Sequence, residues 1–392
     1  MRKNIKLLMK DAGLCLLFSV IILYLISFLI VNLSIFNPFT NAFKDFSFLD
    51  LYYSQEMFEK KPVKDIVVVN IEHKDRFEIQ QLIEHIKKQD SKVIGLDIVF
   101  KDRKDNFLDS LLGESLQSEN IILSKAFLGD TWAYNAAPFK KNHELVGYSN
   151  LNFNLKTDVI REFEGYQDLS DTTQTSFSTL VSKKYVGEKW EAENMKSKLS
   201  KPIPINYSGT TDQFFTFSYQ EFMETETHPF VKDKIVLVGY VGTPHTSVYD
   251  IEDKFFTPLN TKTAGKSPPD MFGVLIHANI IAMLINKDFI KVIPQWIILL
   301  ITVIITYTAL LYFMYASTKK PVSYMLNKKV VQLLFTVFLL WFSLWLYKNK
   351  ILFKPELIIA VLVLSVEFIG LYKILIFKLN RKYKWKSYFF QE

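Results

Sequence analysis

Four apolar stretches, each about as long as a lipid bilayer is thick, constrain this 392-residue chain more than any other feature. A helix rises about 1.5 Å per residue, so roughly 20 apolar residues cross a hydrocarbon core of about 30 Å. The stretches predict transmembrane helices at residues 12–33, 294–315, 330–347 and 356–377. One N-terminal span and three C-terminal spans therefore flank the region 34–293, which is long enough to fold as a soluble domain.

The first apolar stretch has a second interpretation, because secreted proteins begin with a cleaved apolar signal peptide. This run is longer than the roughly 7–15 apolar residues of a signal peptide. The sequence that follows, Ser34 to Pro38, offers no cleavage site of small residues. We therefore interpret the stretch as a retained membrane anchor.

Basic residues beside the spans predict the orientation of the chain, since cytoplasmic flanks are enriched in lysine and arginine. Thirteen basic residues precede the first span, join the second to the third, or follow the fourth, and three lie in the loop 348–354. We expect the inner membrane of a bacterium, with a cytoplasmic N-terminus (1–11), a short basic and aromatic cytoplasmic tail (378–392), and the region 34–293 in the periplasm or outside.

The basic pI of about 9.0 follows from this topology. The region 34–293 contains 30 Lys and Arg against 36 Asp and Glu, so the positive charge belongs to the membrane flanks and indicates no nucleic-acid partner. The single cysteine, Cys15, lies in the first span, so the exported region has no disulfide and must be stabilised by its core.

The region outside the membrane begins with a strand, helix and strand, at residues 65–70, 75–89 and 92–100. This order within about 35 residues is typical of a βαβ unit, which requires a parallel sheet. Residues 234–239 form another buried apolar strand, and Ser218 with Glu221 predicts the start of a short helix. We expect an α/β domain with a mostly parallel sheet flanked by helices.

The sequence contains no complete catalytic motif of a familiar kind. The segment 264–267 ends like a phosphate-binding loop but lacks its first glycine and is followed by two prolines. The segment 238–242 lacks the third glycine of a dinucleotide fingerprint, so a tight turn explains it better. Nucleophile-elbow and zinc-ligand patterns are missing as well. We therefore assign no catalytic residue and no metal, and the cofactor question stays open.

Polar residues near the predicted strand ends and on the last helix are the candidate ligand-binding residues, because ligands of open α/β sheets bind outside the carboxyl ends of the strands. They are Asn70, Glu72, Asp97, His245, Asp250, His277 and Asn279. Asp253 also follows the strand that ends at Gly239. The group is suited to a divalent cation or a small polar ligand. In the alternative interpretation, Asp97 and His277 bond backbone groups at a structural junction.

One acidic residue, Glu367, falls near the middle of the fourth predicted span. A carboxylate at that depth is costly and often functional, so we predict an intramembrane contact. The alternative is a protonated carboxyl group that bonds a hydroxyl such as Ser343 or Thr306.

Several phrases of this sequence, taken in order, resemble the CHASE type-2 domain, an extracytoplasmic sensory module of bacterial signalling proteins. The matching phrases are residues 67–72, 92–100, 204–209, 234–239, 253–259 and 273–279. The resemblance covers about residues 45–378. It implies a ligand sensor followed by three spans and, in most members, a cytoplasmic output domain. Only about 15 residues follow the fourth span here, so we expect a stand-alone form without an output domain.

The leading hypothesis is a non-enzymatic membrane sensor or accessory subunit. Its outer domain binds a ligand or an envelope protein and relays that state to a separate membrane partner, and a homodimer is a further option. The alternative is a structural scaffold subunit of an envelope complex. A third hypothesis, a metal-assisted hydrolase using Asp97, Asp250 and His277, has no recognised motif.

Overall fold

The computed structural model of the chain describes residues 2–32, 47, 50–129, 131–151, 158–169, 172–243, 251–261, 268–319 and 321–390. The chain divides into two compact units. One combines Met1–Lys44 with Lys291–Glu392 and is called the membrane unit below. The other is Asp45–Ile290, called the sheet domain.

The sheet domain alternates strands with helices along much of its length. Its helices are α2 (Asp50–Ser54), α3 (Arg76–Lys87), α4 (Asn106–Ser115), α5 (Phe177–Val186), α6 (Lys189–Ala192), α7 (Met195–Leu199), α8 (Tyr219–Met223) and α9 (Gly273–Asn286). Its strands are β1 (Val63–Asn70), β2 (Val93–Leu96), β3 (Ile121–Leu128), β4 (Thr131–Ala133), β5 (Val146–Tyr148), β6 (Glu162–Phe163), β7 (Tyr166–Leu169), β8 (Thr172–Thr175), β9 (Ile203–Pro204), β10 (Phe214–Ser218), β11 (Ile235–Gly239), β12 (Lys254–Phe255) and β13 (Met271–Phe272).

A mixed seven-stranded sheet forms the centre of this domain, in the order β10-β1-β11-β2-β3-β4, with β5 also paired to β3. The pairs among β10, β1, β11, β2, β3 and β5 are parallel, and only β4 runs antiparallel to β3. The predicted sheet flanked by helices is confirmed at this level. Because the parallel strands share a direction, their carboxyl ends meet along one edge.

Helices cover both faces of the sheet, which explains why the parallel strands are apolar throughout. On one face, apolar side chains of α3, α4 and α8 pack against Val67, Ile94 and Leu123 in one core. On the other face, α5 approaches so closely that a Cβ on Gly95 would lie 2.9 Å from the Phe177 ring. Glycine at this position therefore permits the close packing of helix on sheet.

Local capping chemistry sets the start of two helices in the sheet domain. The Ser218 hydroxyl accepts a hydrogen bond from the Glu221 N–H, and the Glu221 carboxylate accepts one from the Ser218 N–H. The predicted capping box at α8 is therefore confirmed. Asp75 and Glu78 form the same reciprocal pair at α3. Each box satisfies backbone N–H groups that have no partner within the helix.

The membrane unit consists mostly of long apolar helices: α1 (Arg2–Asn32), α10 (Gln295–Lys319), α11 (Pro321–Lys348), α12 (Glu356–Glu367) and α13 (Ile369–Tyr383), with two short strands, β14 (Lys291–Val292) and β15 (Ile351–Leu352). Within the described residues, three helices contain segments long and apolar enough to cross a membrane, 25 residues each in α1, α10 and α11. Helices α12 and α13 together make a fourth candidate, bent by 45°. The break lies two residues before Gly370, consistent with the weak helix preference of glycine.

A buried aspartate joins the first helix to the end of the chain. Asp11 of α1 is fully buried, and its carboxylate accepts bonds from the Tyr372 hydroxyl (3.1 Å), the Ser387 hydroxyl (2.7 Å) and the Tyr388 N–H (2.7 Å). The Lys10 ammonium lies 4.2 Å from the Trp385 ring. The segment 385–390 of the basic and aromatic tail therefore packs against α1.

Candidate functional site

The carboxyl ends of three adjacent parallel strands bring polar groups together at one edge of the sheet. Asn70 ends β1 and pairs with Gly239 at the end of β11. Asp97 comes directly after β2, and its N–H donates to the Val238 carbonyl (2.9 Å). This edge is where an open α/β sheet places its ligands.

Asn70 holds the two segments that leave β1 and β11. Its Oδ1 accepts from the N–H groups of Glu72 (2.9 Å) and Val241 (2.8 Å), and its Nδ2 donates to the Gly242 carbonyl (2.7 Å). Glu72 adopts a left-handed backbone conformation, with φ 50°, and its carboxylate lies 4.0 Å from the Lys74 ammonium. The Asn70 side chain therefore fixes the segments that follow β1 and β11.

Asp97 is the buried acid of this edge. Its side chain is only 12% exposed, and burial raises the pKa of its carboxyl group to about 7. The His277 ring lies nearby, with its Nε2 3.9 Å from Oδ2 of Asp97, too far for a hydrogen bond. Among the residues that the structure describes, none donates a hydrogen bond to the Asp97 carboxylate.

Asp253 supplies a second acid beside the start of α9, at a position that is exposed to solvent. Partial desolvation, followed by the negative charge of Asp97, raises the pKa of Asp253 to about 7, although the Gly273 N–H favours the ionised form. A Cβ on Gly273 would lie 3.3 Å from both carboxylate oxygens of Asp253, so glycine leaves room for this acid. The residue itself has a left-handed backbone, with φ 50°. Strained backbone of this kind is common at functional sites.

A third acid, Asp270, was not among the residues that the sequence selected. Its carboxylate accepts from the Thr257 N–H (2.7 Å) and from the Thr257 hydroxyl, beside the antiparallel pair β12–β13. Burial raises its pKa to about 6. The sequence around Asp270 gave no indication of a site residue, because the pairing of β12 with β13 is visible only in the fold.

His277 is buried in α9 and uses both ring nitrogens. Nε2 lies 3.1 Å from the Ser149 carbonyl, and Nδ1 lies 2.7 Å from the Ser178 hydroxyl. Because a carbonyl only accepts, Nε2 carries the proton and Nδ1 accepts from Ser178. Burial lowers the pKa of His277 to about 4, so the ring is neutral at pH 7 and forms no ion pair with Asp97.

Asn279, two residues after His277 in α9, also has hydrogen-bond partners for its side-chain oxygen and nitrogen. Its Oδ1 accepts from the N–H groups of Ser208 (2.8 Å) and Gly209 (3.2 Å), and its Nδ2 donates to the carbonyls of Gly209 (3.0 Å) and Leu275 (2.9 Å). It therefore fixes the segment around Gly209 against α9.

The predicted residues thus fall into different groups. Asn70, His277 and Asn279 bond neighbouring groups of the domain, whereas the Asp97 carboxylate, beside Asp253, accepts no hydrogen bond from the described residues. His245 and Asp250 lie outside the described residues. Within the described ranges, no group of three or more His, Cys, Asp or Glu side chains is arranged to hold a metal ion.

Glu367 lies in the membrane unit, at the last residue of α12 beside the bend. Its carboxylate accepts from the ammonium groups of Lys328 (2.8 Å) and Lys329 (2.7 Å) on α11. The hydroxyls of Thr306 and Ser343 are buried without a hydrogen-bond partner in the described part of the chain. The contacts of Glu367 are therefore ionic.

Comparison with known proteins gives one clear finding. The family model of the CHASE2 domain matches residues 17–311, which is more than half of the chain. The chain belongs to the CHASE2 domain family. CHASE2 domains are extracellular sensory domains and not catalytic ones, which agrees with the predicted resemblance. A search of curated proteins and a search of solved structures give no match.

Proposed function

We infer that this CHASE2 protein is a non-enzymatic sensor of the bacterial inner membrane. Its CHASE2 domain binds a small ligand, or a group of an envelope protein, at Asp97 and Asp253 on the periplasmic side. The membrane helices relay the bound state to a separate membrane protein, with both termini of the chain in the cytoplasm.

The observation that carries this proposal is the carboxylate of Asp97, which is 12% exposed and accepts no hydrogen bond from any described residue. A buried polar group without a hydrogen bond costs about 1–3 kcal/mol, so folding alone gives no reason to keep it. A second acid, the exposed Asp253, lies close enough for the negative charge of Asp97 to raise its pKa. Two such acids favour a ligand group that donates hydrogen bonds or carries positive charge, such as an amine or a hydroxyl.

The hydrogen bonding of His277 supports a structural role for this residue over a catalytic one. His277 is the described imidazole nearest to Asp97, and hydrogen bonds to Ser149 and Ser178 occupy both of its nitrogens. An imidazole that acts as a general base needs a free nitrogen within reach of the substrate proton, so His277 does not fit that role. The sensory nature of the CHASE2 family points in the same direction.

A relay requires two arrangements of the helices that the ligand favours unequally. Purification from native membranes in mild detergent, with mass spectrometry of co-eluting proteins, tests this requirement for a partner. We expect a stoichiometric membrane protein with a cytoplasmic kinase or cyclase domain. Recovery of the chain alone in every mild detergent tried would overturn the relay.

A scaffold role is the second candidate, and the complete hydrogen bonding of Asn70, His277 and Asn279 favours it. The variants Asp97→Asn and His277→Gln separate the two roles. A sensor retains its partner in Asp97→Asn but loses its response. If the protein is a scaffold and these residues are purely structural, His277→Gln loses the partner and Asp97→Asn has no effect.

A further inference from the structure

A positively charged cleft lies at the β3–β4–β5 end of the sheet. Its volume is about 350 Å³, and its described lining is Lys125, Tyr134, Asn135, Lys140, Lys141 and Val146. Val146 packs against the core on the α3 and α4 face, whereas Asp97 contacts α9 on the other face. The cleft is therefore separate from the Asp97–Asp253 site and opposite to it in charge.

Lys125 is the buried cation of this cleft, only 7% exposed. Its ammonium group donates to the Gln174 side-chain oxygen and lies 4.7 Å from the Trp132 ring and 5.7 Å from the Tyr134 ring. In the described part of the chain, no carboxylate pairs with it. Burial lowers the pKa of Lys125, as expected for a cation without a counter-charge.

Lys141 brings a second partly buried ammonium group to the cleft. It donates to the carbonyls of Ser118 and Ile121, the latter at 2.9 Å, which leaves one of its three N–H groups for another acceptor. Burial, followed by the charge of Lys184, lowers the pKa of Lys141 to about 8, so the group remains mostly charged at pH 7.

The Asn135 side chain of the lining already has hydrogen-bond partners within the domain. Asn135 accepts from the Phe100 N–H (2.8 Å) and donates to the Ser124 carbonyl (2.9 Å). Lys140 adds a third cation and forms no ion pair within the described residues. The described lining of the cleft therefore consists of lysines, a tyrosine ring, an amide and an apolar side chain, and contains no acid.

We propose that this cleft binds a small organic anion whose carboxylate or phosphate group lies against Lys125 and Lys141, with its apolar part against Tyr134 and Val146. An anion supplies the counter-charge that no described carboxylate gives to Lys125, and charge-assisted bonds to ammonium groups are strong. The volume is at the lower end of small-molecule sites, which excludes a polymer as the main occupant. This site is independent of the proposed function at Asp97 and Asp253.

Anion titrations of the full-length protein in mild detergent test the proposal. The probes are benzoate and inorganic phosphate at constant ionic strength, with chloride as the reference salt. We expect saturable quenching of tryptophan fluorescence, because Trp132 lies beside Lys125, and a rise in the unfolding temperature. Benzoate binding identifies a carboxylate site, and phosphate binding identifies a phosphate site. Failure of both probes to saturate would overturn the proposal.

The decisive variant is Lys125→Met, which keeps the length of the side chain and removes its charge. We expect binding about tenfold weaker or worse, as for loss of one hydrogen bond to a charged group. Lys61→Met is the matched control, because the Lys61 side chain is 73% exposed and pairs with Glu59. Equal affinity in Lys125→Met and Lys61→Met would show that the cleft is not the site.

Two further variants keep the test independent of folding and of the fluorescent signal. Lys140→Met is expected to weaken binding if Lys125→Met does not fold. Trp132→Phe is expected to abolish the fluorescence change while the thermal shift remains. A fluorescence response that survives in Trp132→Phe would place the anion elsewhere.

Discussion

The membrane unit and the sheet domain each bury an aspartate, and the two side chains have opposite surroundings. Asp11 in the membrane unit accepts hydrogen bonds from Tyr372, Ser387 and Tyr388. Asp97 in the sheet domain accepts none from the described residues, and its described neighbours include a second acid and a neutral imidazole.

This difference indicates a structural role for Asp11 and a binding role for Asp97. A buried carboxylate with full hydrogen bonding stabilises the contact between the segments that supply its donors. A buried carboxylate without donors destabilises the free protein and becomes stabilising only when a ligand supplies them. Opposite effects of similar substitutions at Asp11 and Asp97 are therefore the main test of this comparison.

The largest effect is expected for Asp11→Ala. It leaves the hydroxyls of Tyr372 and Ser387 and the Tyr388 N–H without their acceptor, so we expect a loss of about 3 kcal/mol in the free energy of unfolding. Thermal unfolding in detergent measures the loss, and faster proteolysis of the tail locates it. Ser27→Ala, at an exposed position of α1, is the control. A tail that stays protected in Asp11→Ala would contradict the assigned role.

A pH dependence of the sheet domain follows from Asp97 and Asp253, whose pKa values are raised from 3.8 to about 7. The folded state binds protons more tightly than the unfolded state, so stability is highest below about pH 4 and falls as the pH rises through 7. Between pH 5 and pH 8 we expect a relative loss of roughly 3 kcal/mol, mainly from Asp97, because Asp253 is exposed and solvent screens its charge. Chemical denaturation at both pH values measures it against the double variant Asp97→Asn, Asp253→Asn, in which the slope should flatten.

Asp97→Asn alone should stabilise the free protein at pH 8 by about 1–2 kcal/mol, because it removes a buried charge that has no partner. The matched change Asp11→Asn should destabilise, since an amide nitrogen cannot accept the bonds of Ser387 and Tyr388. Denaturation of both variants at one pH gives the comparison directly. If Asp97→Asn destabilises as much as Asp11→Asn, the distinction between the two aspartates is wrong.

The smallest effect is expected for Glu367→Gln, under about 1 kcal/mol, because the Glu367 side chain is 33% exposed and such ion pairs contribute little. Removing either lysine refines the assignment. Lys328 is 12% exposed and Lys329 is 65% exposed, so Lys328→Met should exceed Lys329→Met in its effect. Unfolding temperatures in detergent measure the order, and the reverse order would show that burial does not set the strength of these pairs.

Structural features that depend on local or periodic sequence patterns could be predicted from the sequence. The apolar stretches predicted helices of membrane length, and the run Val67–Val69 predicted a buried strand, because periodicity and burial leave a local signature. The capping box at Ser218 was readable for the same reason. The family resemblance rested on such phrases and was confirmed.

Contacts between distant segments were not readable. Asp97 and His277 were selected together, but nothing in their spacing indicated that Ser149 and Ser178 occupy the imidazole. The importance of Asp253 depends on α9 beginning at Gly273 beside it. The Lys125 cleft left no signal either, since its lysines are ordinary surface residues until β3, β4 and β5 pair.

The bonds of Asp11 restrict how the first helix can move. A shift of α1 by one residue along its axis displaces Asp11 by about 1.5 Å, which is enough to break bonds to fixed donors. Such a shift must therefore release Ser387 and Tyr388 or carry them along. A spin label or fluorophore placed beside Tyr388 would accordingly register piston movements of the N-terminal helix, although more than 350 residues separate the two in the chain.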